Sequence, residues 1–137
     1  MGYDSGPLPS LGFIASDDMI ITDASDETTN AAFPTKIKEF TLVGAIAPQS
    51  VFRYKFGMYA SGGPHTGANG RIYRNGLAVG TSQTTDSSIE VTFTEDILTA
   101  SWQIGDKIQL YAWNDKGNTT HVLNLNLCGI GSQWILT

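Results

Sequence analysis

The chain has 137 residues, a net charge of −5, a single cysteine and only 15% charged residues. That length suits one domain and can bury roughly two-thirds of its unfolded surface, so folding needs neither disulfides nor a metal. The acidic balance excludes a general nucleic-acid binder, which must present a basic surface to phosphates.

The charge is unevenly spread. Residues 1–35 carry Asp4, Asp17, Asp18, Asp23, Asp26 and Glu27 with no Lys or Arg, whereas the remainder holds all eight basic residues and seven acidic ones. No apolar run approaches ~18 residues, so no transmembrane helix is expected. Met1-Gly2-Tyr3-Asp4 lacks a positive region and Leu11–Ile14 is too short for a signal-peptide core. Cys128, alone between Leu127 and Ile130, excludes an internal disulfide framework and a multi-cysteine zinc site, and reads as a buried, inert thiol.

In chain order, residues 1–35 read as an extended N-terminal arm and residues 36–137 as the domain. Pro7, Pro9 and Pro34 oppose regular pairing in the arm, and only Met19–Thr22 looks like a short strand. Its apolar residues, chiefly Phe13, Ile14, Ile20 and Ile21, are too many for a solvated tail; they predict anchoring on the chain's own body or on a neighbouring subunit.

From residue 36 the pattern is β. Lys36–Val43 places Phe40 and Leu42 on one parity, and Val51–Tyr59 alternates Phe52, Tyr54, Phe56 and Met58 against Arg53, Lys55 and Tyr59. A turn-rich loop over 61–70 leads to Arg71–Gly80, where Asn75-Gly76 between two short apolar runs predicts a type I′ hairpin. Ser88–Thr94 places Ile89, Val91 and Phe93 inward. Gly105-Asp106 turns into Lys107–Trp113, where Ile108, Leu110 and Ala112 alternate against Gln109, Tyr111 and Trp113. Thr120–Cys128 sets Leu123, Leu125 and Leu127 against Val122, Asn124 and Asn126, and Gln133–Leu136 could add a last strand. About eight short strands without a helical repeat predict an all-β fold, an antiparallel β-sandwich or barrel; the preferred reading is a β-sandwich of the jelly-roll type.

The second faces of 51–59, 71–74 and 107–113 differ from ordinary solvated sheet. They carry Arg53, Lys55, Tyr59, Arg71, Tyr73, Tyr111 and Trp113. If the three strands share a sheet, its outer surface is aromatic and basic, the composition of a recognition surface. Three readings fit: the aromatics of one strand face the core after all, the face packs against identical copies, or it stacks on sugar rings.

Catalytic signals are few. His65 lies in a Gly-rich loop and His121 at a strand start, neither with a carboxylate at a fixed local spacing. A Ser-His-Asp site could assemble only in three dimensions, and no nucleophile elbow is present. Gly62–Gly67 lacks the Gly-Lys-Ser/Thr ending of a phosphate loop, and the arm's aspartates fit no EF-hand spacing. The expectation is a non-enzymatic protein with no cofactor and no metal.

The motif order resembles the trimeric jelly rolls of the tumour necrosis factor and complement globular-head type. A strand like Val51–Tyr59 precedes a short strand ending in Asn-Gly, a Leu-to-Gly-Asp turn follows at Leu98 to Gly105-Asp106, and an apolar strand like Leu123–Ile130 closes the domain. Arg71–Thr81 and Trp102–Ala112 also resemble β-sandwich modules of phage virion proteins. The resemblance covers residues 50–130. It implies a homotrimeric virion protein, a capsid-decoration or tail-appendage module held to capsid or tail proteins by its arm, with no nucleic-acid or membrane partner. The alternative is a carbohydrate-binding module using Tyr59, Trp102 and Trp113 as stacking platforms for a glycan.

Overall fold

Short alternating runs, separated by reversals rich in Gly, Asn and Asp, form ten strands among the residues that this computed structural model describes, 14–43, 50–99 and 103–130. They are β1 (Ile14–Asp23), β2 (Glu27–Thr29), β3 (Thr35–Thr41), β4 (Ser50–Ser61), β5 (Ala68–Arg74), β6 (Leu77–Ala78), β7 (Gln83–Thr85), β8 (Val91–Thr99), β9 (Lys107–Asn114) and β10 (Thr119–Ile130). The expected positions Phe13, Trp102 and Gln133–Leu136 lie outside the described residues.

The strands make two antiparallel sheets packed as a sandwich. One runs β1-β10-β4-β8, with β2 continuing the β1 edge along β10; the other runs β3-β9-β5-β6, with β7 also on β5. From β3 to β10 the chain crosses between the sheets at every connection except those joining β5, β6 and β7, the crossing pattern of a jelly roll. Asn75 and Gly76 both have positive φ (49° and 82°) between β5 and β6, as the type I′ turn requires.

The two inner faces supply the core. Phe52, Tyr54 and Met58 from β4 meet Ile72 of β5, Ile108 and Leu110 of β9, and Val122, Leu125 and Leu127 of β10, all within 1% of full burial. The sheets pack tightly at Gly70: a Cβ there would lie 3.0 Å from the Phe56 ring and 3.2 Å from Met58 Sδ. Cys128 is a buried thiol that takes part in no disulfide among the described residues.

Two parity readings need correction. Ile89 and Val91 were expected inside, yet they are 76% and 36% exposed. β8 is an edge strand that begins only at Val91, so Ile89 lies before the strand and Val91 at its exposed end. In β10, Val122 is buried and Leu123 only partly so, whereas Leu125 and Leu127 are fully buried. A bulge explains the switch: the register with β4 slips between Leu123 and Asn126, and Asn124 takes φ 54°. The extra residue swaps the inward parity partway along the strand.

The described part of the arm is the edge of the first sheet. β1 pairs with β10 from Ile14↔Ile130 to Asp23↔Leu125, and Ile20 and Ile21 pack against the core. Met19 is exposed. One buried cation ties this edge to the other sheet. The Lys38 side chain of β3 is 1% exposed; its ammonium donates to the carbonyl and hydroxyl of Ser25 and pairs with Asp23 at 3.2 Å.

Candidate functional site

The seven residues expected on one aromatic and basic face fall on opposite sides of the sandwich. Arg53, Lys55 and Tyr59 belong to β4, whereas Arg71 and Tyr73 belong to β5 and Tyr111 and Trp113 to β9, in the other sheet. Strand periodicity specifies a side chain's parity but not its sheet, and a jelly roll sends successive strands to opposite layers. The shared face is therefore corrected to two separate ones.

On the first sheet, the basic residues are held by the chain's own acidic edge. Arg53 chelates Asp96 through Nε (2.8 Å) and Nη2 (3.1 Å), and its Nη1 donates to Asp17 at 3.1 Å. Lys55 reaches the same Asp17 oxygen at 2.7 Å. Hydrogen bonds from Lys55 and then Arg53 hold the Asp17 carboxyl below the usual range. Pairing between acidic arm and basic sheet thus occurs within one chain for Arg53 and Lys55, and not for Arg71. Tyr59 is occupied too: its ring stacks on His121 (centroids 4.1 Å apart, 11° between planes) and its hydroxyl donates to Asp26 Oδ2 at 3.0 Å. Burial and then this acceptor push the Tyr59 hydroxyl pKa upward.

The second sheet presents the open half. Tyr111 of β9 lies opposite Arg71 of β5, and Tyr73 opposite Gln109. The two tyrosine rings stack face to face, 3.9 Å apart at 15°. Trp113 follows Tyr111 by two residues on the same face, opposite Asn69. Tyr73, Tyr111 and Trp113 therefore form a diagonal aromatic line, each ring partly exposed.

Polar groups around the line are pre-positioned. Gln109 accepts from the Gly76 N–H (2.8 Å) and donates to Glu39 (2.9 Å), which also pairs with Lys36. The Gln109 and Lys36 contacts lower the Glu39 carboxyl pKa. Thr84 donates to Asn69 Oδ1 at 2.6 Å. Arg71 is steered by an Nε bond to the Gly80 carbonyl and has no carboxylate within salt-bridge reach among the described residues. No group of three or more metal-ligating side chains occurs among the described residues.

Sequence reasoning missed the cluster around His121. Ser61 Oγ lies 2.8 Å from His121 Nε2, and Asp26 Oδ1 lies 3.2 Å from His121 Nδ1. Asp26 is 95 residues away in sequence, so no local spacing could have paired it with the histidine.

No protein-family model matches the chain, and no curated protein matches it. Among solved structures, the chain is similar to the EclA C-terminal domain, described as a sugar-binding protein. The two share 14% identity and a TM-score of 0.54, over 92% of this chain and 89% of that one. A likeness at this identity shows the fold, a β-sandwich. It runs to a sugar-binding domain and carries no viral link, which overturns the capsid-decoration or tail-appendage reading and removes the ground for a virion trimer.

Proposed function

We propose that the chain is a carbohydrate-binding module whose platform is the outer face of β3, β9 and β5. The observation that carries this reading is the open line Tyr73–Tyr111–Trp113 beside Arg71. The fold shared with a sugar-binding domain supports it. The C–H face of a pyranose is an apolar patch ringed by hydroxyls, so it suits partly exposed aromatic rings bordered by fixed polar groups. Lys36, Glu39, Arg71 and Thr84 border these rings and offer donors and acceptors for hydroxyls. Along β9 the line spans about 13 Å at ~3.4 Å per residue, the reach of a short oligosaccharide. Retention there makes and breaks no covalent bond, so this role is non-enzymatic.

Tyr59 is not part of this platform, because β4 lies in the other sheet and Asp26 holds the Tyr59 hydroxyl. A glycan array followed by calorimetry with the best oligosaccharide tests the assignment. Tyr111→Ala and Trp113→Ala should each weaken binding at least about tenfold, roughly 1.4 kcal/mol, while Arg53→Ala leaves it unchanged. Full affinity in the double variant Tyr111→Ala/Trp113→Ala would refute the location. No retention of any glycan at millimolar concentration would refute the function.

A further inference from the structure

The face opposite the proposed sugar platform carries a second constellation, and we propose that it is an acyl-transfer site with Ser61 as nucleophile and His121 as general base. Asp26 is the positioning residue. The three side chains come from separate places in the fold. Ser61 ends β4, His121 lies one diagonal step away on β10, and Asp26 occupies the turn between β1 and β2. The contacts are Ser61 Oγ to His121 Nε2 at 2.8 Å and His121 Nδ1 to Asp26 Oδ1 at 3.2 Å. They run in the order that serine activation requires: nucleophile to base, then base to orienting carboxylate.

The order also selects the tautomer. An ionised carboxylate only accepts hydrogen bonds, so the contact with Asp26 places the ring proton on Nδ1. Nε2 then presents its lone pair to the Ser61 hydroxyl. Tyr59 over-determines the arrangement: its ring lies against the imidazole, and its hydroxyl donates to the second Asp26 oxygen at 3.0 Å. His121 is mostly covered, with 18% side-chain exposure, and its ring is thus held from two sides. Ser61 is followed by Gly62 and Gly63, both exposed, and Gly62 has φ 98°. A substrate carbonyl arriving at Ser61 therefore meets no side chain from the next two residues.

The chemistry follows from these positions. Ser61 Oγ attacks the carbonyl carbon of an ester, forming an Oγ–C bond as its proton passes to His121 Nε2. Collapse of the tetrahedral adduct breaks the carbon–oxygen bond to the alcohol, which leaves with that proton. Water, deprotonated by His121, then cleaves the acyl-serine to release the carboxylic acid and restore the Ser61 hydroxyl. The Asp26 carboxylate beside the imidazole opposes a negatively charged substrate. The substrate class is accordingly an uncharged carboxylic ester rather than an anionic one.

The test uses the full chain, a fluorophosphonate probe and p-nitrophenyl acetate. Mass spectrometry should find one probe molecule per chain, on the peptide containing Ser61. Ser61→Ala should abolish labelling and lower ester hydrolysis at least about tenfold; His121→Gln should do the same. Asp26→Asn should reduce kcat with KM unchanged, and Asp26→Glu should restore part of it, which a purely structural role would not do. Absence of labelling in the wild-type chain, labelling at another residue, or equal hydrolysis by wild type and Ser61→Ala would overturn the proposal. The wild-type labelling result decides the matter even if a variant fails to fold. Because the platform of Tyr73, Tyr111 and Trp113 lies on the other sheet, either proposal can fail alone.

Discussion

Replacing Asp23 by Asn would leave the buried Lys38 ammonium with two neutral acceptors and no counter-charge. At 3.2 Å, the attraction between the two charges is about 5 kcal/mol at an effective dielectric constant of ~20, before desolvation is subtracted. Breaking a fully buried pair costs about 3–5 kcal/mol. Asp23, however, is 35% exposed, and Ser25 continues to solvate the ammonium, so the loss is discounted to about 2–3 kcal/mol. For a chain of this length that lowers Tm by about 6–10 °C. Lys38→Met should cost less, because the orphaned carboxylate can turn to water while the apolar stem keeps its volume.

Urea unfolding of both single variants and the double variant measures the coupling directly, provided that the denaturant slope is unchanged. The acid limb supplies a second readout. Hydrogen bonds from Ser25, then Lys38, hold the Asp23 carboxyl below its ordinary pKa. Its stabilisation is therefore present above the unfolded value of about 3.9 and lost as pH falls through the lower folded value. Asp23→Asn should flatten this part of the stability profile. A difference under about 0.5 kcal/mol between wild type and Asp23→Asn would refute the reasoning, since Ser25 alone would then suffice to bury Lys38.

Two glycines should respond to alanine by different amounts. Gly70→Ala forces a methyl against Phe56 and Met58 between the sheets and should cost about 1–3 kcal/mol by thermal unfolding. At Gly57 the new Cβ would meet only the Glu90 side chain, which is exposed and can swing away, so Gly57→Ala should cost under about 1 kcal/mol. Tyr54→Phe removes a buried hydroxyl with no partner among the described residues and should be neutral or stabilising by about 1 kcal/mol in urea unfolding. Asp17→Asn should speed hydrogen exchange along β1, and high salt should narrow the difference from wild type because Asp17 is 70% exposed. The same protection should fade in the wild type as pH falls below the ordinary carboxylate range, since the folded Asp17 pKa is depressed.

The strands over 107–113 and 51–59 were legible because strict alternation needs no tertiary information, and Asn75-Gly76 announced its turn because both residues must take positive φ. Reading failed where one residue's conformation altered what followed. The bulge at Asn124 reversed the parity within β10, and nothing in the alternation of Leu and Asn distinguishes a bulged strand from a regular one. Lys38 shares the inward parity of Phe40 and Leu42, but its partners are Asp23 at the end of β1, in the other sheet, and Ser25 in the turn that follows.

The same division runs through the functional residues. Composition and periodicity alone determined an antiparallel all-β fold, sandwich or barrel, and they identified Arg71, Tyr73, Tyr111 and Trp113 as unusual outward residues, because side-chain direction in a strand is a local property. Which outward residues remain open was decided only by folding. The sheet crossings parted Arg53, Lys55 and Tyr59 from the others, the acidic edge strand paired with Arg53 and Lys55, and long-range pairing brought Asp26 to Tyr59 and His121. Parity depends on neighbouring dihedrals. Layer, register and partner depend on which distant segments bury their apolar faces together, and no local pattern carries that choice.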